Sequence, residues 1–186
     1  MTVREIIEKG LHDATEYVAL ATVEAAKYQQ TNSEIIQYLT TIDGTPGVYV
    51  TLNKPFITVE ALLRNAQVNT DMIIFIDAVT RTTGGSVEKT QKCLFIGSPE
   101  NLSDISLAMD QAVRAIPPGE KKFLFFDSLN TLLIYNKPGT VAKFIHFLAG
   151  KMRIWKVKGI IISLEKESDR ELLSELSQFC DIRLDL

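Results

Sequence analysis

The chain has 186 residues, of which 46% are hydrophobic, and a formal net charge of −3. This length fills one sizeable core, so we expect a single domain over residues 1–186. The acidic balance argues against a nucleic-acid binder that uses a basic face, and no apolar run approaches the roughly 18 residues of a membrane span. Since residues 1–5 also differ from a signal peptide, we expect a cytoplasmic protein without membrane contact.

The first part of the chain predicts two helices and one strand. Apolar residues at helical spacing predict an amphipathic helix over 3–11, within an N-terminal segment 1–15, which covers a sheet edge or contacts a partner. A strand follows at 17–23. Thr31 and Glu34 have the spacing of a capping box, which predicts a helix from there to about Ile42.

The middle of the chain alternates continuous apolar strands with helices, a pattern typical of a parallel sheet covered on both faces. Strands are predicted at 48–52, 72–79 and 93–96, and helices at 58–65 and 98–116. Ser98 is the expected N-cap of the second helix. The polar segment 80–89 contains two glycines and is predicted to be a mobile loop.

The last part of the chain opens with an apolar strand that ends at Asp127. A long helix follows, with Thr140 as its expected N-cap and an apolar stripe from Val141 to Trp155. The remaining predicted elements are a strand at 159–164, a helix capped by Ser168 and a strand at 182–186. The predicted fold class is therefore α/β.

Asp127 follows four apolar strand residues, as the Mg²⁺-holding carboxylate of a P-loop NTPase does. Many α/β strands also end in an aspartate that only caps the next turn, so both interpretations stay open. A P-loop further needs the pattern G-x-x-x-x-G-K-[ST], whose glycines and lysine surround phosphate. The segment 23–30 after the first strand contains no glycine. The segment 84–90 ends in Lys-Thr but lacks the second glycine and precedes a strand, so a flexible surface loop is expected there.

The segment from Asp127 to Asn136 resembles the region after the Walker B strand in KaiC-like members of the RecA superfamily. The similarity covers most of the chain from about Tyr17, and its further matching segments are 47–55, 75–77, 98–105, 144–148 with 151 and 153, and 178–181. It implies a three-layer, RecA-like P-loop NTPase topology with a mostly parallel central sheet and helices on both faces.

The chain departs from this family pattern at the residues that would carry catalysis. Tyr28 stands at the last glycine of the phosphate loop, and Gln29 and Gln30 stand at its lysine and Ser/Thr. Asn53 and Lys54 stand where active relatives have the carboxylates that position water, and neither can act as that base. The resemblance therefore implies a noncatalytic pseudo-ATPase with no catalytic residues, no metal site and no required cofactor.

Two functions from different classes stay open. The preferred one is a regulatory or protein-interaction module that forms a homo-oligomer or binds active RecA-like ATPase relatives. The alternative is a sensor that binds a nucleotide, such as ATP with Mg²⁺, or another anion without hydrolysing it. Its crevice would be lined by Lys27, Lys54, Asp127 and Ser128. An ATPase with a rearranged catalytic set ranks last, because it needs a new phosphate cradle and a new base.

Lys151 and Arg153 lie near the end of the long predicted helix, where cations favour the helix dipole. The resemblance adds a second role, since basic residues after this helix in RecA-like rings can reach a neighbouring subunit. The pair is thus the candidate subunit contact. The two cysteines and two histidines show no spacing typical of a disulfide framework or a metal site.

Overall fold

A computed structural model describes residues 2–12, 14–87, 90–164 and 170–186. The strands within these ranges are β1 (Tyr17–Val23), β2 (Gly47–Thr51), β3 (Ile73–Asp77), β4 (Cys93–Phe95), β5 (Phe123–Asp127), β6 (Lys158–Leu164) and β7 (Ile182–Asp185). The helices are α1 (Val3–Leu11), α2 (Tyr28–Gln37), α3 (Phe56–Asn65), α4 (Leu102–Ala115), α5 (Leu129–Tyr135), α6 (Pro138–Trp155) and α7 (Arg170–Ser177). A π-helical turn, Tyr38–Ile42, continues α2.

The seven described strands form one parallel sheet in the order β4-β3-β2-β5-β6-β1-β7. Thr51 pairs with Asp127 on one side and with Asp77 on the other. Three polar residues therefore lie side by side at the carboxyl edge of the sheet. In open α/β sheets this edge is where ligands bind.

Helices cover both faces of the sheet, and the predicted three-layer fold is confirmed. The first layer contains α1, α2 and α3, and the second contains α4, α5, α6 and α7. Because successive strand residues face opposite sides, Phe125 packs in the first layer and Phe126 in the second. The same alternation directs Asp127 toward the first layer, where α2 begins.

The predicted starts of α2 and α4 were wrong because other residues form the first turn. The helix α2 begins at Tyr28, so the expected N-cap Thr31 lies inside the helix and is buried. The helix α4 begins at Leu102, and Asn101 caps it by accepting a 3.2 Å hydrogen bond from the Asp104 backbone N–H.

The region after Asp127 also differs from the sequence prediction. The short helix α5 was not predicted, because its seven residues are too few to show a clear period. The helix α6 starts at Pro138, so Thr140 lies within its first turn instead of capping it. Ser168, the expected cap of α7, lies outside the described residues.

The amphipathic helix α1 packs on α2 and on the edge strand β7. Ile7 and Leu11 are buried in the core beneath it. A Cβ atom placed on Gly10 would lie 2.7 Å from Leu184 Cδ2, which shows how closely α1 approaches β7. The apolar stripe of α1 is therefore used largely within its own domain, with Val3 and Ile6 only partly buried. No described helix has the length and apolar character needed to cross a membrane.

Candidate functional site

Asp127 lies at the carboxyl end of β5 and is only 3% exposed. Its Oδ2 accepts a 2.6 Å hydrogen bond from the Tyr49 hydroxyl on β2. Its Oδ1 accepts from the Tyr28 hydroxyl at the start of α2 and, at 3.3 Å, from Asn53 Nδ2. Protein donors therefore occupy both carboxylate oxygens.

Asn53 joins this carboxylate to the surrounding polar residues. Its Nδ2 lies 2.7 Å from the Tyr28 hydroxyl oxygen and 3.2 Å from Ser128 Oγ. Its Oδ1 accepts a hydrogen bond from the Thr131 hydroxyl on α5. The residue that stands at a catalytic carboxylate position of the family pattern thus has a hydrogen-bonding role here.

Burial dominates the protonation of this cluster. It raises the pKa of Asp127 above the usual value, although hydrogen bonds from the two tyrosines and Asn32 and the charge of Lys54 act in the opposite direction. Burial, followed by the Asp127 charge, also raises the pKa of Tyr28 and of Tyr49. Both phenols therefore keep their protons at neutral pH and act as hydrogen-bond donors.

Lys54 and Ser128 lie beside Asp127, as two of the predicted crevice residues. Lys54 Nζ donates a 2.8 Å hydrogen bond to Gln29 Oε1, and its charge acts on the Asp127 carboxylate. Ser128 is buried and contacts Asn53. The structure thus brings three of the four predicted crevice residues together.

The segment 24–30, to which the resemblance assigns the place of a phosphate loop, is helical from Ala25 onward. Ala25–Lys27 make a 3₁₀ turn, and α2 begins directly after it. Lys27 Nζ pairs with Glu24 at 3.2 Å, and 53% of the Lys27 side chain is exposed. Lys27, the fourth predicted crevice residue, therefore lies in solvent and outside the hydrogen-bonded Asp127 cluster.

Asp77, at the same edge of the sheet, has a structural role. Its carboxylate accepts hydrogen bonds of 2.7, 2.7 and 2.8 Å from the backbone N–H groups of Phe56, Val79 and Thr80. The Thr80 hydroxyl donates a further bond of 2.6 Å. These bonds fix the start of α3 and the first turn of the predicted mobile loop. The mobility of 80–87 stays a prediction, and residues 88–89 lie outside the described residues.

The candidate subunit contacts, Lys151 and Arg153, have partners within the chain. Arg153 donates hydrogen bonds of 2.9 Å to Asp181 Oδ1 and 2.8 Å to the Phe179 carbonyl oxygen. The Lys151 ammonium lies 5.6 Å from the centroid of the Phe147 ring. A role in subunit contact stays a prediction for both residues.

Sequence reasoning did not identify Tyr49, Asn32 or Thr131 as parts of the Asp127 cluster. For Tyr49 a signal existed, because it precedes Thr51 by two residues and therefore shares its face of β2. The other two reach the cluster only through the docking of α2 and α5. Across the described ranges, no group of three His, Cys, Asp or Glu residues is arranged to hold a metal ion.

The parallel sheet between two helix layers, with Asp127 at the end of β5, defines a RecA-like α/β protein. A similar solved structure is the KaiC-like protein PH0186 from the hyperthermophilic archaeon Pyrococcus horikoshii OT3, with a TM-score of 0.62 and 16% identity over 91% of this chain and 70% of that chain. A second is the uncharacterized protein PH0321 from Pyrococcus horikoshii, in complex with an unknown peptide. Its TM-score is 0.72, with 13% identity over 97% of this chain and 82% of that chain.

Residues 24–186 match the Family of unknown function (DUF7504), and the chain belongs to this family. No curated protein matches the sequence. The structural neighbours confirm the predicted KaiC-like, RecA-like fold, and they carry the assignment of fold only.

Proposed function

We propose that this protein is a noncatalytic, KaiC-like pseudo-ATPase that acts as a regulatory or protein-interaction module. The observation that carries the proposal is the occupation of the Asp127 carboxylate by Tyr28, Tyr49 and Asn53. A carboxylate that serves Mg²⁺ must be ionised and must present oxygens to an octahedral ion. Here burial disfavours the ionised form, and protein donors take up both oxygens.

The turn at 24–30 supports the same proposal. A P-loop binds phosphate through backbone N–H groups that converge on the anion, together with a lysine. In this chain the helix α2 starts at Tyr28, whose side chain reaches Asp127. Its phenol therefore contacts the carboxylate at the position where a family phosphate loop would meet Mg²⁺ and nucleotide.

The interaction part of the proposal has two supports. Leu107, Phe147 and Ile154 are exposed apolar residues of the helices α4 and α6, and large apolar side chains that cluster on a surface mark interaction sites. The structural neighbour PH0321 was solved in complex with an unknown peptide. We propose that the partner is a second copy of the chain or an active RecA-like ATPase.

Calorimetric titration with ATP and with ADP, each with Mg²⁺, tests the noncatalytic part. We expect no saturable binding up to about 1 mM ligand, where the binding free energy would be only about −4 kcal/mol. A hydrolysis assay accompanies the titration. ATP turnover that disappears in Asp127→Ala would overturn the proposal.

Light scattering on the same sample tests the interaction part. The expected result is a defined oligomer, or a stable complex when a KaiC-like ATPase from the same genome is added. A monomer that forms no complex with such an ATPase at about 100 μM contradicts this part, since specific interfaces generally bind more tightly than that.

An anion sensor is the second candidate, and Lys54 favours it. Its ammonium bonds the neutral Gln29 amide beside the carboxyl edge of the sheet, so this cation could be recruited by an anion. If the protein bound ATP or ADP at micromolar concentration without turnover, and if Lys54→Met weakened that binding, the sensor would be the preferred function in place of the interaction module.

A further inference from the structure

The helices α4 and α6 leave an open groove of about 610 Å³ between them, on the face of the sheet opposite to α1 and α2. Its lining includes Leu102, Leu107, Lys143, Phe144, Phe147 and Lys151. The groove shares no lining residue with the Asp127 cluster. We call this feature the α4–α6 groove.

Apolar side chains are exposed along the α4–α6 groove. Leu107 on α4 is 59% exposed, and Phe147 on α6 is 47% exposed. Ile154, which is 75% exposed, follows Phe147 by seven residues and therefore lies on the same side of α6 two turns later. Exposed apolar side chains therefore lie on both helices that border the groove, and Ile154 extends them along α6 beyond its lining residues.

Of the three cations that line the groove, Arg114 is paired with Asp110, whereas Lys143 and Lys151 are not. Asp110 accepts a 2.7 Å hydrogen bond from Arg114 Nε and a 3.1 Å bond from Trp155 Nε1. The hydrogen bond from Arg114 and, as a smaller contribution, the charge of Lys151 lower the pKa of the Asp110 carboxyl. Lys143 and Lys151 form no ion pair with any described residue. The groove therefore combines exposed apolar side chains with two lysines that form no ion pair with a described residue.

This charge pattern distinguishes between possible occupants. In a two-fold contact between copies of the chain, Lys143 and Lys151 of one groove would face the same cations of the other, and like charges repel. An acidic partner would instead be attracted to them. The groove lies between two helices and has apolar side chains on both walls, which is the kind of surface on which an amphipathic helix lays its apolar face.

We infer that the α4–α6 groove binds an amphipathic helix of a partner protein, with its apolar face against Leu107 and Phe147 and acidic side chains beside Lys143 and Lys151. This inference rests on the proposed function as an interaction module and names the chemistry of its partner. The helix α4 is 14 residues long, which corresponds to about 21 Å and therefore to a partner helix of about four turns.

The test uses a fluorescent peptide of about 18 residues, with leucines at every third or fourth position flanked by glutamates on an alanine background. A control peptide has lysine in place of each glutamate. By fluorescence anisotropy we expect saturable binding of the acidic peptide that is at least about 10-fold tighter than binding of the basic one. Amide NMR shifts of the labelled protein should change along α4 and α6.

Variants of residues that line the groove test the groove itself. Phe147→Ala should weaken the acidic peptide about 10-fold, and Lys143→Glu or Lys151→Glu about two- to five-fold each. Lys9→Glu on α1 changes the net charge equally on the other side of the sheet and should leave binding unchanged. The double variant K143E/K151E should prefer the basic peptide.

Three results would overturn the inference: no saturable binding of the acidic peptide up to about 1 mM, equal binding of both peptides, or NMR shifts outside the groove. A dimer of the wild type that Phe147→Asp dissociates would assign the groove to a second copy instead. None of these results tests the noncatalytic proposal. That proposal would be overturned only by nucleotide binding or turnover that depends on the Asp127 site.

Discussion

The Tyr49 hydroxyl donates a 2.6 Å hydrogen bond to Asp127 Oδ2 and so connects the neighbouring strands β2 and β5 at their carboxyl ends. Tyr49 precedes Thr51, the register partner of Asp127, by two residues, so both side chains lie on one face of the sheet. Both residues are buried. The carboxylate is therefore part of the polar core of the domain, which makes its effect on stability measurable.

Replacing Tyr49 by Phe should destabilise the protein more than replacing Tyr28 by Phe. Asp127 Oδ1 keeps the Asn53 amide when Tyr28 is changed, whereas Tyr49 is the hydroxyl donor to Oδ2. We expect a loss of about 2 kcal/mol for Tyr49→Phe and about 1 kcal/mol for Tyr28→Phe in the free energy of unfolding. Urea denaturation measures both. Equal losses would contradict the interpretation that the Asn53 amide still serves Asp127 Oδ1 when the Tyr28 hydroxyl is removed.

Asp127→Asn should lower the free energy of unfolding by about 1–3 kcal/mol. An amide offers one acceptor oxygen, so it leaves one of the two tyrosine hydroxyls unpaired. Removal of a carboxylate kept for catalysis often increases stability instead, because active sites trade stability for activity. Asp185→Asn is the matched control, since 69% of that side chain is exposed. A more stable Asp127→Asn protein would revive the catalytic interpretation of this residue.

The ion pair of Asp43 with Lys158 should make stability depend on acidic pH. Burial opposes the ionisation of Asp43, but hydrogen bonds from Lys158 and Thr45 outweigh it and hold the Asp43 pKa below its usual value. A carboxylate with a lowered pKa stabilises the fold above the unfolded value of 3.8, and this contribution is lost as pH falls through the folded value. Wild-type stability should therefore fall below about pH 5, and Lys158→Met should show a weaker dependence.

Removing either partner of this pair should also cost stability at neutral pH. Lys158 is 4% exposed and Asp43 is 21% exposed, so an unpaired lysine is the less hydrated of the two. Asp43→Asn should cost about 3 kcal/mol and Lys158→Met less than that. Lys9→Met is the control for loss of an exposed ammonium. If Lys158→Met kept the full pH dependence of the wild type, the lowered pKa would have another origin.

The sequence predicted the strands and the layer order well because a parallel sheet buried on both faces requires continuous apolar segments. Helix starts were predicted less well, since several neighbouring residues can cap the same helix and the sequence does not show which of them does. Thr31 and Glu34 matched a capping box, yet the chain is already helical from Tyr28. The helix α5 escaped prediction because it has only seven residues, and because two of them, Asn130 and Thr131, are buried polar residues that interrupt its apolar pattern.

The candidate site was predictable only in part. Asp127 could be found because a carboxylate that ends an apolar strand is a local signal. Two of its donors, Tyr28 and Asn53, could not be found in this way, since they are far from it in sequence and meet it only after the layers pack. Lys27 was predicted for the crevice from its position alone, and its pairing with Glu24 keeps it in solvent.

The close contact between Gly47 and Phe123 predicts opposite effects of alanine at two glycines. Gly47 on β2 pairs with Phe123 on β5, and a Cβ atom on Gly47 would lie 2.3 Å from the Phe123 ring. Because Phe123 is completely buried and cannot move freely, Gly47→Ala should cost about 3 kcal/mol, the upper part of the range for overpacking. Gly150 in α6 has no atom within 4 Å of its added Cβ, so Gly150→Ala should stabilise the helix by about 0.5–1 kcal/mol. Urea denaturation measures the free energy of unfolding of both variants. Gly97→Ala is the control, because no atom lies within 4 Å of a Cβ added at Gly97. A Gly47→Ala protein as stable as the Gly97→Ala control would show that β2 and β5 are less closely packed than this register requires.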